Sequence, residues 1–445
     1  MIDMNLVETA GLIDGRVRDG DQRFYGASID SRTVAEGELF VAIRGERFDG
    51  HDFVAAAAER GAAAALVEQP VTGLPSVEVA DTRAALGQLG HRWRARMSAT
   101  VVGITGSNGK TTVKEMIAAI LTRRGQTLAT RGNYNNDLGV PLTLVRLGTE
   151  DRFAVIEMGA NRPGEIARLA ELAEPVVAVV TNAAAAHLEG FGTLEGVARA
   201  KGELFATLPG DGVAVINADD NFAPLWRELA GDRRVISFGL TGDADVRASE
   251  LDDTSFTLHT RGEEARVTLR LPGVHNVSNA LAAAACAAAL ESGIDDVVAG
   301  LAQVEIPAGR MQRRTADSGA LLLDDSYNAN PASLAAGLEV LIELPGEHWL
   351  VLGDMGELGP DSGSLHREAG TMVTTAGVNR LYTLGPLAAL AAACFDGDAR
   401  CFYDRDELIS GLKRDLHEGV ACLIKGSRAM GMEHVVNSLV GAKGS

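Results

Sequence analysis

Apolar and polar positions along this chain fall into three successive blocks. Up to about Arg96, short apolar runs at Glu38–Ile43, Ala63–Val67 and Ser76–Val79 alternate with alanine-rich stretches at Phe53–Arg60 and Arg83–Met97. The spacing predicts a small α/β unit. From Thr100 the rhythm becomes strand, loop, helix, and then repeats. Candidate strands are Thr100–Ile104, Phe153–Ile156, Val176–Val180 and Val213–Ile216, each rich in β-branched residues and free of proline. Helices are expected between them, notably at Thr111–Arg124 and Pro163–Leu172. That alternation predicts a mostly parallel sheet with helices on both faces, and ligands gathered beyond the C-terminal strand ends. A more β-like stretch at Arg234–Phe238, Asp245–Ala248, Ser255–Thr260 and Ala265–Leu271 decorates this block, which closes with a helix over Val277–Glu291. After about Arg310 a further set of strands (Ala320–Leu323, Trp349–Leu352, Arg380–Leu384, Arg400–Phe402 and Ala421–Ile424) alternates with helices and reads as another doubly wound unit. The expected fold is therefore α/β in three domains, at 1–97, 98–310 and 311–445. Three domains is also what 445 residues suggest on length alone.

Composition narrows the function. Hydrophobic residues make up 46% and charged residues 23%, so large-scale disorder is not expected. A net charge of −19 argues against a nucleic-acid or anionic-membrane partner, either of which favours a basic face. A small anionic substrate remains compatible, because a few Arg, Lys and backbone N–H groups suffice to hold one. The start, MIDMNLVETAGLIDG, lacks the basic and apolar regions of a signal peptide, and no apolar run reaches membrane-span length. A cytoplasmic location follows as an expectation. The four cysteines, Cys286, Cys394, Cys401 and Cys422, show no CxxC spacing and read as buried structural thiols.

The strongest chemical signal is VVGITGSNGKTTVKEM. A strand runs into a glycine-rich turn and then into a helix, the context in which backbone N–H groups and a helix N-terminus hold phosphate. Gly106, Ser107, Asn108 and Gly109 would form the loop. Lys110 would reach the β- and γ-phosphates, the Thr111 hydroxyl would meet Mg²⁺, and Thr112 continues the helix start. The glycines fall at Gly103, Gly106 and Gly109, with Ile104 where the strict phosphate-loop pattern has glycine. A turn that merely starts a helix is the competing reading, and the GKTT ending disfavours it.

Other positions carry weaker signals. Glu157 ends the apolar strand FAVIE, where a second hard oxygen ligand for Mg²⁺ is wanted. His187, in TNAAAAHLEGFG, is either structural or projects toward metal or phosphate from the same sheet edge. Lys201, in GVARAKGELF, reads as a solvated helical lysine. His275, Asn276 and Asn279 stand at a helix start, as caps or as readers of an adenine edge. The segment SIDSRTVAEGELFVAIRGERFDGHDF is a set of solvated loops or a pocket for an anionic ligand with Arg32, Arg44 and Arg47 available.

Taken together, nine segments resemble the Mur ligase family, the ATP-dependent enzymes that extend the peptide of the bacterial cell-wall precursor. They are DSRTVAEGELFVAIRGERFDGHDF, GITGSNGKTTVKEM, GNYNNDLGVPLTL, AVIEMGANRPGEI, AAAHLEGFGTLEGVARAKGE, LPGVHNVSNALAAAA, LLLDDSYNANPASL, VLGDMGELG and IKGSR, in that order over nearly the whole chain. The glycine spacing of the phosphate loop is that family's variant. The resemblance implies an N-terminal domain for a UDP-sugar, a central ATP domain and a C-terminal Rossmann-like domain for the incoming amine. It implies that Thr111 and Glu157 hold one Mg²⁺, that His187 with Glu157 helps hold a second, and that Lys201 carries a carbamate. Asn279, Arg310 and Asp324 would contact the nucleotide, Asn135 and Asn136 the acceptor-side substrate, and Ser31 and Arg32 the uridine end. Lys110, Glu157, His187, Lys201 and Arg310 would be catalytic.

The implied reaction joins D-Ala-D-Ala to UDP-MurNAc-tripeptide through an acyl phosphate, in peptidoglycan precursor synthesis, by a monomer. The DNPR segment of the diaminopimelate- or lysine-adding sister enzymes is absent, whereas DSYNANP and GDMGELG read as the dipeptide-adding type. A folylpolyglutamate-type ligase would leave the N-terminal DSR…GERFDGHDF segment unexplained. An NTP-driven switch is the competing class. Large hinge motion is expected, since three ligands on three units must converge.

Overall fold

A computed structural model of the protein describes residues 1–441 apart from Gly242, Asp253 and Ile306. The first block builds a five-stranded sheet in the order Arg16–Arg18, Ser76–Glu78, Ala64–Val67, Leu39–Val41, Ala27–Ser28, parallel except at Arg16–Arg18. A short antiparallel pair, Asp3–Asn5 with Arg23–Tyr25, lies beside it.

The second block forms one nine-stranded sheet. Its order is Glu263–Thr268, Ser255–Thr260, Val246–Ser249, Arg234–Gly239, Val213–Asn217, Val177–Val180, Thr100–Thr105, Phe153–Glu157, Thr127–Ala129. Seven neighbouring strands, from Val246–Ser249 to Thr127–Ala129, run parallel, and the last two form an antiparallel extension. The stretch expected to decorate the block therefore begins inside the sheet: Arg234–Gly239 pairs in parallel with Val213–Asn217. Strand alternation sends successive side chains to opposite faces. Val102 and Ile104 pack under the helices Lys110–Thr122 and Val274–Ala289, while Ala154 and Ile156 of the next strand face the helices Glu165–Ala173 and Leu194–Ala206.

The third block is a six-stranded sheet, Gln312–Thr315, Leu321–Asp325, Val420–Lys425, Glu347–Gly353, Arg380–Leu384, Asp398–Phe402, antiparallel only at its first strand. It buries a separate core on each face.

The first two blocks share a core, besides a smaller cluster in the first and another in the second. Ile2, Met4, Leu39, Leu66 and Val77 belong to the same buried cluster as Leu86, Leu89, Val140, Leu144 and Ile156. The connecting helix Thr82–Arg94 carries the junction: Trp93 Nε1 donates to Leu147 O at 2.9 Å and buried Arg94 Nε donates to Ala173 O at 3.0 Å. Gly90 allows this closeness, since a Cβ there would stand 2.9 Å from Pro141 Cα. Among the described residues no helix is long and apolar enough to cross a membrane. Cys286 and Cys422 are buried as expected, and burial pushes the Cys422 thiol up to about 12. Cys394 and Cys401 are exposed instead, because they fall just past a helix end and on the outer strand of the third sheet.

Candidate active site

The C-terminal ends of the parallel strands Thr100–Thr105, Phe153–Glu157 and Val177–Val180 open on a cavity of about 1350 Å³ that all three blocks line. At its floor is the glycine-rich loop. Gly106 has φ 151°, and any Cβ there would run into Thr181 Oγ1. The loop is stitched to the segment after the neighbouring strand. Ser107 N donates to Asn182 O (2.9 Å), Asn108 N to Asn182 Oδ1 (3.0 Å), Ala184 N to Ser107 Oγ (2.9 Å) and Thr181 Oγ1 to Asn108 O (2.6 Å). Gly109, at φ 81°, turns the chain into the helix Lys110–Thr122, where a Cβ would strike the Asn279 side chain. No side chain caps that helix, so its first amides are left for an anion. Lys110 Nζ donates to Gly106 O at 2.7 Å and Ser107 O at 3.3 Å. Burial lowers its pKa, and Glu157 opposes that shift. Thr112 is buried beneath the loop.

Glu157 is 2% exposed and fully engaged. Its Oε2 accepts from Thr111 Oγ1 at 3.0 Å and its Oε1 from Asn135 Nδ2 at 2.8 Å. Arg310, the last residue before the third block and packed over its Tyr327, donates Nη2 to the same Thr111 hydroxyl at 3.1 Å. One hydroxyl thus links a buried carboxylate to a guanidinium at the junction with the third block. Beneath them buried Lys114 donates to Thr130 O at 2.7 Å, and Thr130 Oγ1 takes the Glu157 amide at 3.0 Å. Asn136 faces the same cavity and accepts from Gly139 N at 2.9 Å.

His187 reaches the cavity with a left-handed backbone, φ 55°. Its Nδ1 lies 2.6 Å from Glu357 Oε2, close in distance but off hydrogen-bond geometry, and the contact holds the Glu357 carboxyl below its usual range. His187 therefore meets a carboxylate of the third block rather than pairing directly with Glu157. Among the described residues no cluster of three or more His, Cys, Asp or Glu side chains is placed for a metal. Mg²⁺ does not require one, since it keeps several waters and takes one or two carboxylates.

Lys201 overturns the solvated reading. It lines the cavity at 2% exposure, with its Nζ 5.9 Å from the centre of the Phe191 ring. Burial, reinforced by the positive charge of Lys110, holds its pKa well below the ordinary 10.5. The spacing did carry a signal: Val197, Lys201 and Phe205 form an i, i+4, i+8 stripe facing inward.

The helix start at 274–279 is not a set of caps, since no side-chain cap bond forms there. Asn279 Nδ2 donates to Asn276 Oδ1 at 3.1 Å, and Asn276 Nδ2 to Pro272 O at 2.7 Å. His275 presents a buried, unpartnered Nδ1, and burial lowers its pKa. Asp324 is not in the lining. It is 4% exposed and accepts from Ser326 Oγ at 2.5 Å, while burial raises its pKa. Strand alternation gives the cavity position to Asp325, paired with buried Lys425. Ser31 and Arg32 also lie outside the cavity, where Arg32 is exposed and folded onto Asp30 at 2.8 Å. A groove of about 510 Å³ lined by Arg47, Phe48 and Leu138 adjoins the main cavity, and Glu46 and Arg83 line both. Arg83, Lys114, Tyr327, Asn330, Glu357, Lys425 and Arg428 were not singled out from the sequence, although most sit inside segments quoted there. Asn330 Nδ2 donates to Asn108 Oδ1 at 2.8 Å, a second tie from the third block to the loop.

Comparison with known proteins bears on all three blocks. Models of the Mur ligase family match residues 23–94 (family catalytic domain), 104–287 (middle domain) and 309–428 (glutamate ligase domain). The UDP-N-acetylmuramoyl-tripeptide–D-alanyl-D-alanine ligase of Escherichia coli K12 is 44% identical over 447 residues, 99% of each chain. A crystal structure of MurF from Acinetobacter baumannii superposes with a TM-score of 0.90 at 36% identity over 99% of each chain. MurF ligase from Thermotoga maritima, solved in complex with ADP, gives 0.81 at 29% identity, over 93% of this chain and 97% of that one.

Proposed function

The chain belongs to the Mur ligase family, and from that membership we propose that it is the ATP-dependent ligase that joins D-alanyl-D-alanine to UDP-N-acetylmuramoyl-tripeptide, giving the pentapeptide precursor of peptidoglycan. The observation that carries this reading is the Thr111 hydroxyl held between Glu157 and Arg310. A phosphate loop that only bound nucleotide would not need a guanidinium held at the junction with the unit proposed to bring the amine, packed over that unit's Tyr327.

A carboxylate is a poor electrophile, so the γ-phosphoryl group is first transferred to the tripeptide carboxylate, and the dipeptide amine then displaces phosphate from the acyl phosphate. Two anions meet in the first step. Lys110, the amides of residues 109–112 and Arg310 neutralise them by position and charge. Thr111 and Glu157 present the adjacent hard oxygens that suit one Mg²⁺, and His187 is the residue for a second. Bound there, the metal would screen the phosphate charge. Lys201 fits a carbamate: it lines the cavity, burial shifts it toward the neutral amine that adds carbon dioxide, and the product would return a negative charge beside Lys110. Asn135 and Asn136 position the acceptor, Asn279 with its neighbours holds the adenine side, and Asp325 replaces Asp324 as the nucleotide contact. The uridine end runs toward the groove of Arg47 and Phe48, with Ser31 and Arg32 at the unit's outer face. The boundaries 1–97, 98–310 and 311–445, a monomeric state and a cytoplasmic site, where ATP and UDP-sugars are made, complete the proposal.

The decisive assay is phosphate release from ATP with both substrates, with each alone and with neither. Release should require UDP-MurNAc-tripeptide and D-Ala-D-Ala together, with stoichiometric pentapeptide. Release indifferent to both would overturn the ligase reading in favour of an NTP-driven switch.

A further inference from the structure

We propose that Arg428 binds the terminal carboxylate of the incoming dipeptide and so selects a substrate with a free C-terminus; this rests on the ligase reading above. A dipeptide that reacts through its amine carries its other end as an anion, and the unit that receives it must supply a cation. At the edge of the third block and within it, Arg310, Lys425 and Arg428 line the cavity. Arg310 is turned to the phosphate loop through Thr111. Lys425 is 2% exposed and committed to Asp325 and to Asn328 O at 2.9 Å. Arg428 alone of the three is exposed: it lines the cavity while 60% of its side chain stays open to solvent.

Its guanidinium is nevertheless held in place. Nη1 donates to Glu433 Oε1 at 2.9 Å, and Cζ stands 5.5 Å from the centre of the Tyr327 ring. Arg310 packs over the same ring at 4.3 Å, so two positive charges are gathered on one aromatic platform at the cavity wall. Only Arg428 has a carboxylate partner there; among the described residues Arg310 has none. The Tyr327 platform itself therefore carries two guanidinium charges against the one carboxylate of Glu433, and a substrate carboxylate would balance the second. The backbone fixes the direction of approach. Ser427 N donates to Asp354 O at 3.0 Å, locking the turn that carries Arg428 against the loop that carries Glu357, the carboxylate met by His187. The dipeptide's anionic end is thus anchored on the third block, one loop away from the seam where its amine must reach the acyl phosphate. A planar guanidinium with free donors matches a carboxylate in a paired, charge-assisted contact that lysine cannot reproduce.

The test compares D-Ala-D-Ala with its C-terminal amide in the wild-type enzyme, Arg428→Met and Arg428→Lys. Wild-type kcat/KM should fall by about 10- to 100-fold on going from acid to amide, the size of a lost charge-assisted pair. Arg428→Met should raise KM for the acid by a similar factor, leave KM for ATP and for UDP-MurNAc-tripeptide unchanged, and treat acid and amide alike. Arg428→Lys should recover part of the discrimination. An unchanged acid-to-amide ratio in Arg428→Met would overturn the proposal. So would a loss shared equally by all three substrates, which marks a structural role. A wild-type enzyme inert toward D-Ala-D-Ala would instead overturn the ligase reading itself.

Discussion

A single buried amine shows how much one residue's surroundings decide. Lys201 sits in an inward-facing helical stripe with its pKa pushed well down by burial and by Lys110. Between its lowered folded pKa and the ordinary 10.5, the unfolded chain binds a proton that the folded chain does not. Stability therefore rises with pH across that window, and burying Lys201 costs stability below it. Lys201→Met should raise the melting temperature of nucleotide-free protein by about 2 °C or more at pH 7 in carbon-dioxide-free buffer, with the gain shrinking toward pH 10. Differential scanning fluorimetry across pH checks this. Lys201→Ala, which leaves room beside Lys110, should lose ligase activity, and added short-chain carboxylic acids should restore part of it; unchanged activity in this variant would remove the carbamate role. Thr111 gives a second prediction. Thr111→Val leaves a buried Glu157 oxygen without its donor, costing about 1–3 kcal/mol, and should cut kcat at least about 100-fold. Thr111→Ser, which keeps the hydroxyl, should retain most of the rate. Residue identities such as Lys110, Thr111 and Glu157 were legible because their chemistry depends on local order along the chain. Asp325 was not, because two adjacent aspartates on a strand look alike until the sheet's pleat assigns one to the cavity.

Among the elements, the parallel strands could be read because continuous β-branched runs have no exposed face to obscure them; Val177–Val180 is buried at every position. Three-residue strands such as Thr127–Ala129 escaped, being too short for a periodic signal, yet this one leads to Thr130 and so to the placement of Glu157. The phosphate loop is the most geometrically demanding element. Gly106→Ala combines a left-handed backbone with a collision at Thr181, so it should raise KM for ATP at least about tenfold and destabilise by about 1–3 kcal/mol. Gly210→Ala, where a Cβ meets nothing within 4 Å, should behave as wild type in both assays.

Across the whole molecule, the sequence suggested three units free to hinge, but it did not show that two of them share a core. An apolar residue does not name its partner: Leu39 and Ile156 look equally ready to close separate domains, yet they belong to one buried cluster. Among the described residues no buried cluster joins the third block to the first two; polar contacts do, from Arg310 at its edge to Thr111, Asn330 to Asn108 and Glu357 to His187. Polar contacts at a wet cavity part more readily than a packed core. Calorimetry of the intact protein should therefore show two transitions, one for the first two blocks together and one for the third, and ATP with Mg²⁺ should draw them closer. Three resolved transitions would contradict the shared core. The same asymmetry says where the gene could be divided. A chain broken near Gly309 leaves two pieces that each keep a complete interior, and these should be able to reassemble into a working enzyme when made separately. Broken near Met97, each piece would inherit half of an oily surface, and neither should survive long enough to find the other.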